Sequence, residues 1–251
     1  MVVERVNITT FFIVTSYVKH FLPKVVSVEN VTGLLSEKHR KHLQKLVREF
    51  IEVGYSVVVF TVDASHYGDP QERERVILFA SRIDHKLPEV PEATHGQGPN
   101  LRPVNTAADA IEDLENVPLA AGIEWVVTAD GKKNLFAHWK DDRNRPQSDA
   151  DVTLLEADRP APTVLRRNYI EHYSTRLPLS IQERARLMSI PDSFQFFGSR
   201  PQVSDMIGNG VPVRLSTALG HSIRESFCYN PTVNMIGNFA RSIGHKHGIP
   251  L

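Results

Sequence analysis

The chain has 251 residues, with 29 Lys+Arg against 29 Asp+Glu, so its formal net charge is zero. An apolar share of 41%, with only 14 Gly, 16 Pro and 1 Cys, excludes a disordered, collagen-like or disulfide-stapled chain. The length suits one large domain or a domain with an appendage, a single cysteine makes no intrachain disulfide, and a reducing compartment is the expectation.

Residues 11–22 form an apolar run too short to span a bilayer, where about 20 residues are needed. Phe11, Val14, Val18 and Phe21 follow helical spacing, so the run reads as a core helix stopped before Pro23. Val25, Val26 and Val28 then form a short β-branched run, as in a buried parallel strand, ending at Glu29-Asn30. Ser36 caps a second helix whose inner stripe is Leu43, Leu46, Val47, Phe50 and Ile51, and Gly54 ends it. Residues 55–62 and 75–81 are two more strands around a polar loop. This alternation is the α/β pattern of a doubly wound sheet.

Residues 83–105 are rich in Pro and read as loop, 105–115 as a short helix, and 122–170 as an irregular inserted lobe with a β-like run from Ile123 to Thr128. Ser180 and Glu183 form a capping box opening a helix that ends before Pro191. Val213, Leu215, Leu219, Ile223 and Phe227 mark the inner face of a last helix over 212–228, and a weakly patterned tail follows. The expected division is 1–82 as a partial α/β domain, 83–170 as the lobe, 171–230 as the return to the α/β domain, and 231–251 as the tail.

Chemistry is suggested at a few positions. Glu29 sits at the carboxyl end of a strand, where ligands bind in open α/β sheets, although helix capping or loop bonding would also use an acid there. Gln71, Arg73 and Arg75 alternate, so their side chains share a face; such a row suits a phosphate backbone or a base edge, and equally a solvated edge strand. Ile207-Gly208-Asn209-Gly210-Val211-Pro212 reads as a turn into a helix whose glycines let backbone approach a ligand. Cys228 reads as a small core residue. His39 with His42, and His245 with His247, bring no third ligand, so no metal site is expected.

Taken together these segments resemble the DNA (cytosine-5)-methyltransferase family. The match runs in family order over residues 7–228: PKVVSVENVTGLLS resembles the ENV motif and YGDPQERERVILFAS the QxRxR motif. LPEVPEATHG resembles the proline-rich segment that follows. RPAPTV and LSIQERARLMSIPDSFQF resemble the later helix that ends at Pro-Asp, and MIGNGVPVRLSTALGHSI resembles the closing GN(A/S)VP motif. The resemblance implies an incomplete Rossmann-like methyltransferase sheet with a small irregular target-recognition lobe, and methyl transfer from S-adenosylmethionine to cytosine C5 in DNA. In that chemistry the base is flipped from the duplex and a cysteine thiolate adds to C6. It further implies that Glu29 holds the amino edge and N3 of cytosine, that Arg73 and Arg75 steady the flipped base and its phosphate with Gln71 in support, and that Asn209 and Gly210 lie against the cofactor.

The family's FxGxG cofactor loop and its Pro-Cys nucleophile have no match in this sequence, and Gly210 stands where Ala or Ser is usual. The expectation is therefore a chain inactive alone, partnered by DNA and by a complementary N-terminal half, with no membrane association. The alternative is a non-catalytic DNA- or partner-binding protein derived from the family. The expected compartment is a nucleus if the cell is eukaryotic, and otherwise the cytoplasm.

Overall fold

The computed structural model describes residues 8–114, 126–127, 133–134, 152–166 and 168–228. It divides into two compact units. Among described residues one comprises 63–73 and 93–216, and the other 8–62, 74–92 and 217–228.

The second unit is built on helices and one sheet. Helix α1 spans Ile8–Phe21 and is closed by Leu22, whose φ of 44° puts a non-glycine residue in the left-handed region just before Pro23. Strand β1 (Val25–Val31) follows, then helix α2 (Glu37–Glu52), which Gly54 ends at φ 91°. Strands β2 (Tyr55–Asp63) and β3 (Glu74–Arg82) complete a three-stranded sheet in the order β1-β3-β2. β3 runs antiparallel to β1, with Glu29 opposite Ile77 and Val31 opposite Arg75. The parallel pairing expected for β1 is therefore corrected for this neighbour, because an apolar β-branched run looks the same whichever way its partner points.

The core of this unit is Val18, Leu34, Leu43, Leu46, Val47, Phe50, Tyr55, Val59, Val76, Leu78 and Ala80. Four of these are the α2 stripe, and fully burying a side chain of this size stabilises by roughly 1.5–3 kcal/mol. Ile51, expected in that stripe, is exposed, as is Phe21 of α1. Ile13, Tyr17 and Phe21 recur four residues apart and form an exposed apolar stripe along α1. β1 is half-buried, and its edge away from β3 pairs with no strand among the described residues.

The first unit carries helix α3 (Ala107–Ile111), opened by a Thr106–Asp109 capping box, and the short antiparallel pair β4 (Val126–Val127) and β5 (Lys133–Asn134). The rest of the expected β-like run at Ile123–Thr128 and most of 129–151 lie outside the described residues, as does the tail beyond 228. Strands β6 (Val152–Leu154) and β7 (Tyr169–Glu171) pair in parallel. Helix α4 (Ile181–Leu187) begins with the expected capping box, Ser180 Oγ accepting from Glu183 N and Glu183 accepting from Ser180 N. Arg186 ties its end to Asp192 and to Asp113. Helix α5 (Arg200–Asn209) has no counterpart in the sequence reading, so Gly208-Asn209 ends a helix where an irregular turn was expected.

Helix α6 (Val213–Phe227) starts where expected, but its buried face is Leu215, Leu219, Ser222 and Ser226. Val213 and Phe227 are exposed and Cys228 is exposed too, contrary to the core position expected for it. The helical period is right and the face is rotated, because small serines occupy turns that the apolar count overlooks. No helix among the described residues is long and apolar enough to cross a membrane.

Candidate functional site

The run Gln71-Glu72-Arg73-Glu74-Arg75 leads into β3 in extended backbone, and its period of two is expressed fully. Gln71, Arg73 and Arg75 are buried while Glu72 and Glu74 are exposed. A solvated charged edge is thereby excluded. Burying two guanidiniums is costly unless each finds acceptors, and each does.

Arg75 meets Glu29. Arg75 Nε lies 2.7 Å from Glu29 Oε1, and Arg75 Nη1 donates to the Glu74 carbonyl at 2.7 Å. In the β1–β3 register, Glu29 sits diagonally from Arg75, the spacing at which long side chains meet across an antiparallel pair. Arg75 is almost fully enclosed, whereas the Glu29 side chain keeps 32% of its exposure. The guanidinium fixes one carboxylate oxygen and leaves the group accessible. An immobilised, half-open carboxylate can accept hydrogen bonds from an amino group or ring N–H presented to it.

Arg73 belongs to the other unit and has different partners. Its Nη1 donates to the Val164 carbonyl at 2.8 Å, and its Nη2 donates to the carbonyls of Gly208 and Gly210 at 2.8 and 2.9 Å. The side chain is 1% exposed. Two of these acceptors lie at the carboxyl end of α5, where unsatisfied carbonyls and the helix dipole favour a cation. Beside it, the Gln71 amide donates to the Leu187 carbonyl and accepts from Val164 N. Gln71 and Arg73 therefore knit the 163–165 segment, the end of α4 and the α5–α6 turn into one cluster.

Gly208 is required by contact: a Cβ there would fall 2.4 Å from Arg166 N and 2.6 Å from Arg166 Cα. Gly210 has φ −67°, and its Cβ would meet Ile207 O at 3.3 Å and Met188 Cε at 3.4 Å. Between them, the Asn209 side chain is exposed and makes no hydrogen bond with the described residues. An open amide beside a half-buried glycine fits one wall of a cofactor site. It does not by itself enclose a molecule the size of S-adenosylmethionine.

Asp69 was not singled out by the sequence and proves central to this turn. It is fully buried, and its two oxygens accept from Arg214 N at 3.2 Å and Leu215 N at 2.9 Å, capping α6 from a distant loop. Burial pushes its carboxyl above the ordinary value, against the backbone hydrogen bonds from Leu215 and Arg214. An acid next to Gly68 and Pro70 reads in sequence as a turn residue, which hides this role.

Residues 3–225 match the family model described as C-5 cytosine-specific DNA methylase. A type II methyltransferase of Neisseria gonorrhoeae, M.NgoFVII, is 30% identical over 247 residues, covering 90% of this chain and 65% of that protein. M.MthTI of Methanothermobacter thermautotrophicus is 30% identical over 245 residues, covering 86% of this chain and 70% of that one. Other curated relatives are covered over half to two thirds of their length, 51% for M.BspRI and 66% for M.FnuDI. Among solved structures, a DNA modification methyltransferase encoded within an E. coli prophage superposes with a TM-score of 0.63 at 18% identity, covering 86% of this chain and 73% of that one. That likeness supports a Rossmann-like methyltransferase fold for the chain.

Proposed function

The chain belongs to the C-5 cytosine-specific DNA methylase family, and on that premise we propose that it contributes the base-holding half of a methyl transfer to cytosine C5 in DNA. The observation that carries this reading is the Glu29–Arg75 pair at 2.7 Å, a carboxylate pinned near the carboxyl end of β1 with its side chain 32% exposed. In this role Glu29, in its carboxylic acid form, donates its proton to N3 of a flipped cytosine and accepts from the amino group with its other oxygen, so that the negative charge put into the ring by thiolate addition is neutralised at N3. Arg75 keeps the carboxyl group in place, so that the charge developing in the ring meets a preorganised partner. Arg73 and Gln71 hold the turn that presents Asn209 and Gly210. Those two residues would form one wall against S-adenosylmethionine, which when bound supplies the methyl group.

The sequence contains neither a FxGxG loop nor a Pro-Cys dipeptide, and its one cysteine is Cys228. We therefore propose that the thiolate that adds to cytosine C6, and the rest of the cofactor site, are supplied by protein carrying those two motifs, outside these 251 residues. Among the described residues the outer edge of β1 pairs with no strand and the apolar stripe of Ile13, Tyr17 and Phe21 is exposed, and both features favour association with such a segment. By the same reading the chain works where DNA is, in a nucleus or, in a cell without one, in the cytoplasm.

The test is transfer of labelled methyl from S-adenosylmethionine to duplex DNA. The chain alone should give none. Mixed with a polypeptide bearing FxGxG and Pro-Cys from a relative, it should restore transfer. Robust transfer by the chain alone would overturn the need for a partner.

A further inference from the structure

We propose that His66, His95, Arg102 and Arg214 form a phosphate-contact patch for the backbone of duplex DNA. It rests on the reading of the chain as part of a DNA-acting protein. It adds a binding surface outside the base-holding pair.

Three segments remote in sequence are drawn together around Gly68. That residue has φ 92°, and the His95 ring lies directly on it; a Cβ there would sit 2.7 Å from His95 Cε1. The Gly68 carbonyl accepts from Arg214 Nη1 at 2.7 Å and from the Asn105 side chain. The His66 carbonyl accepts from both Thr94 N and His95 N, at 2.9 and 3.0 Å. Arg102 N donates to the Thr94 carbonyl at 3.0 Å, and Gly96 N donates to the Arg102 carbonyl at 2.8 Å. The backbone of each contributor is thus fixed by bonds, not left on a loose loop.

The side chains this scaffold presents are all basic or neutral donors. Arg102, Arg214 and His66 are exposed, and among the described residues none of the three is paired with a carboxylate. Asp69, next to Gly68, is turned inward, with its oxygens on Arg214 N and Leu215 N. His95 is only 8% exposed, and its Nδ1 lies 2.8 Å from Thr94 Oγ1. With Nδ1 accepting the Thr94 hydroxyl, Nε2 carries the hydrogen, and it has no partner among the described residues. Burial, Arg102 and Arg214 together hold the His95 pKa below the ordinary value, so near neutrality it donates as a neutral ring. Two guanidiniums and imidazole donors, with the nearby Asp69 carboxylate buried and engaged by backbone N–H groups, match a phosphodiester oxyanion. Such contacts fix where a duplex lies without reading its sequence.

The experiment is duplex binding by the full chain, followed by fluorescence anisotropy over a series of KCl concentrations. It compares wild type, Arg102→Gln, Arg214→Gln and, as a control on α2, Lys45→Gln. Each arginine variant should bind several-fold more weakly at low salt and lower the slope of log K against log salt by about 0.9. The loss should be equal on unrelated duplex sequences, and inorganic phosphate at millimolar concentration should compete only weakly. Lys45→Gln should behave as wild type. Circular dichroism checks that Arg214→Gln is folded; Arg102→Gln removes no side-chain hydrogen bond from the structure, so it remains decisive if Arg214→Gln is not. Wild-type affinity and slope in Arg102→Gln, or no duplex binding by the wild type, would overturn the patch. Methyl transfer by the mixed polypeptides judges the family reading separately, so either proposal can fail while the other stands.

Discussion

Replacing Arg73 by Met should destabilise the chain without touching its affinity for DNA. The guanidinium is 1% exposed and donates to three main-chain carbonyls, those of Val164, Gly208 and Gly210. Methionine keeps much of the volume but leaves these acceptors facing an apolar chain. Each hydrogen bond from a charged donor contributes roughly 1.5–3 kcal/mol, and a buried acceptor left bare costs about 1–3 kcal/mol. The Gly210 carbonyl is only part-buried and can rehydrate, and removing a desolvated cation returns some energy, so the net loss should be about 3 kcal/mol. Urea unfolding followed by circular dichroism measures it, as a lower midpoint at an unchanged m-value. In a thermal melt of a chain this long, the same loss lowers Tm by about 6–12 °C. Under 1 kcal/mol would refute the claim that this side chain holds the α5–α6 turn in place. A fall of one unit in the salt slope of duplex binding would instead make Arg73 a phosphate contact.

Two glycines two residues apart should respond in opposite ways. Gly208→Ala drives a Cβ into the backbone of residues 165–166 and should cost at least about 3 kcal/mol in the same urea assay, while Gly210→Ala meets only contacts of 3.3 Å and beyond and should stay within about 1 kcal/mol. Asp69→Asn should change how stability depends on pH. The folded pKa of Asp69 is raised by burial, so its contribution is fully present below the unfolded value of about 3.9 and is lost as pH rises through the folded value. Relative to the variant, wild type should gain stability as pH is lowered from 7 to 4, and parallel pH profiles would contradict the assignment. Glu29→Gln alone should change stability by no more than about 1 kcal/mol, because the Glu29 side chain remains 32% exposed.

Much of the second unit was legible because its strands and the α2 stripe repeat at clean periods. Leu43, Leu46, Val47 and Phe50 are all buried as read. The errors fall at positions where period alone does not decide. Phe21 and Ile51 sit on helix flanks, and the inward face of α6 is completed by Ser222 and Ser226 in place of Phe227. Helix α5 went unread although Ser199 and Gln202 form a capping box with Pro201 beside it; an aromatic stretch before them masked the signal. In the site, the alternation of Gln71, Arg73 and Arg75 with Glu72 and Glu74 is expressed as buried against exposed, while β1 runs two residues past Glu29, to Val31. What Arg73 and Asp69 bind was not legible. Their acceptors and donors lie 91 to 146 residues away, and no local pattern encodes a contact of that range.

The most direct measurement is methyl transfer to duplex DNA by the chain mixed with a polypeptide carrying FxGxG and Pro-Cys, comparing wild type with Glu29→Gln. If Glu29 bonds the cytosine ring as its charge develops, the variant should fold and bind duplex normally yet lose transfer by roughly 100-fold or more, the scale set by removing one preorganised partner of a developing charge. Transfer by Glu29→Gln at the wild-type rate would contradict the account.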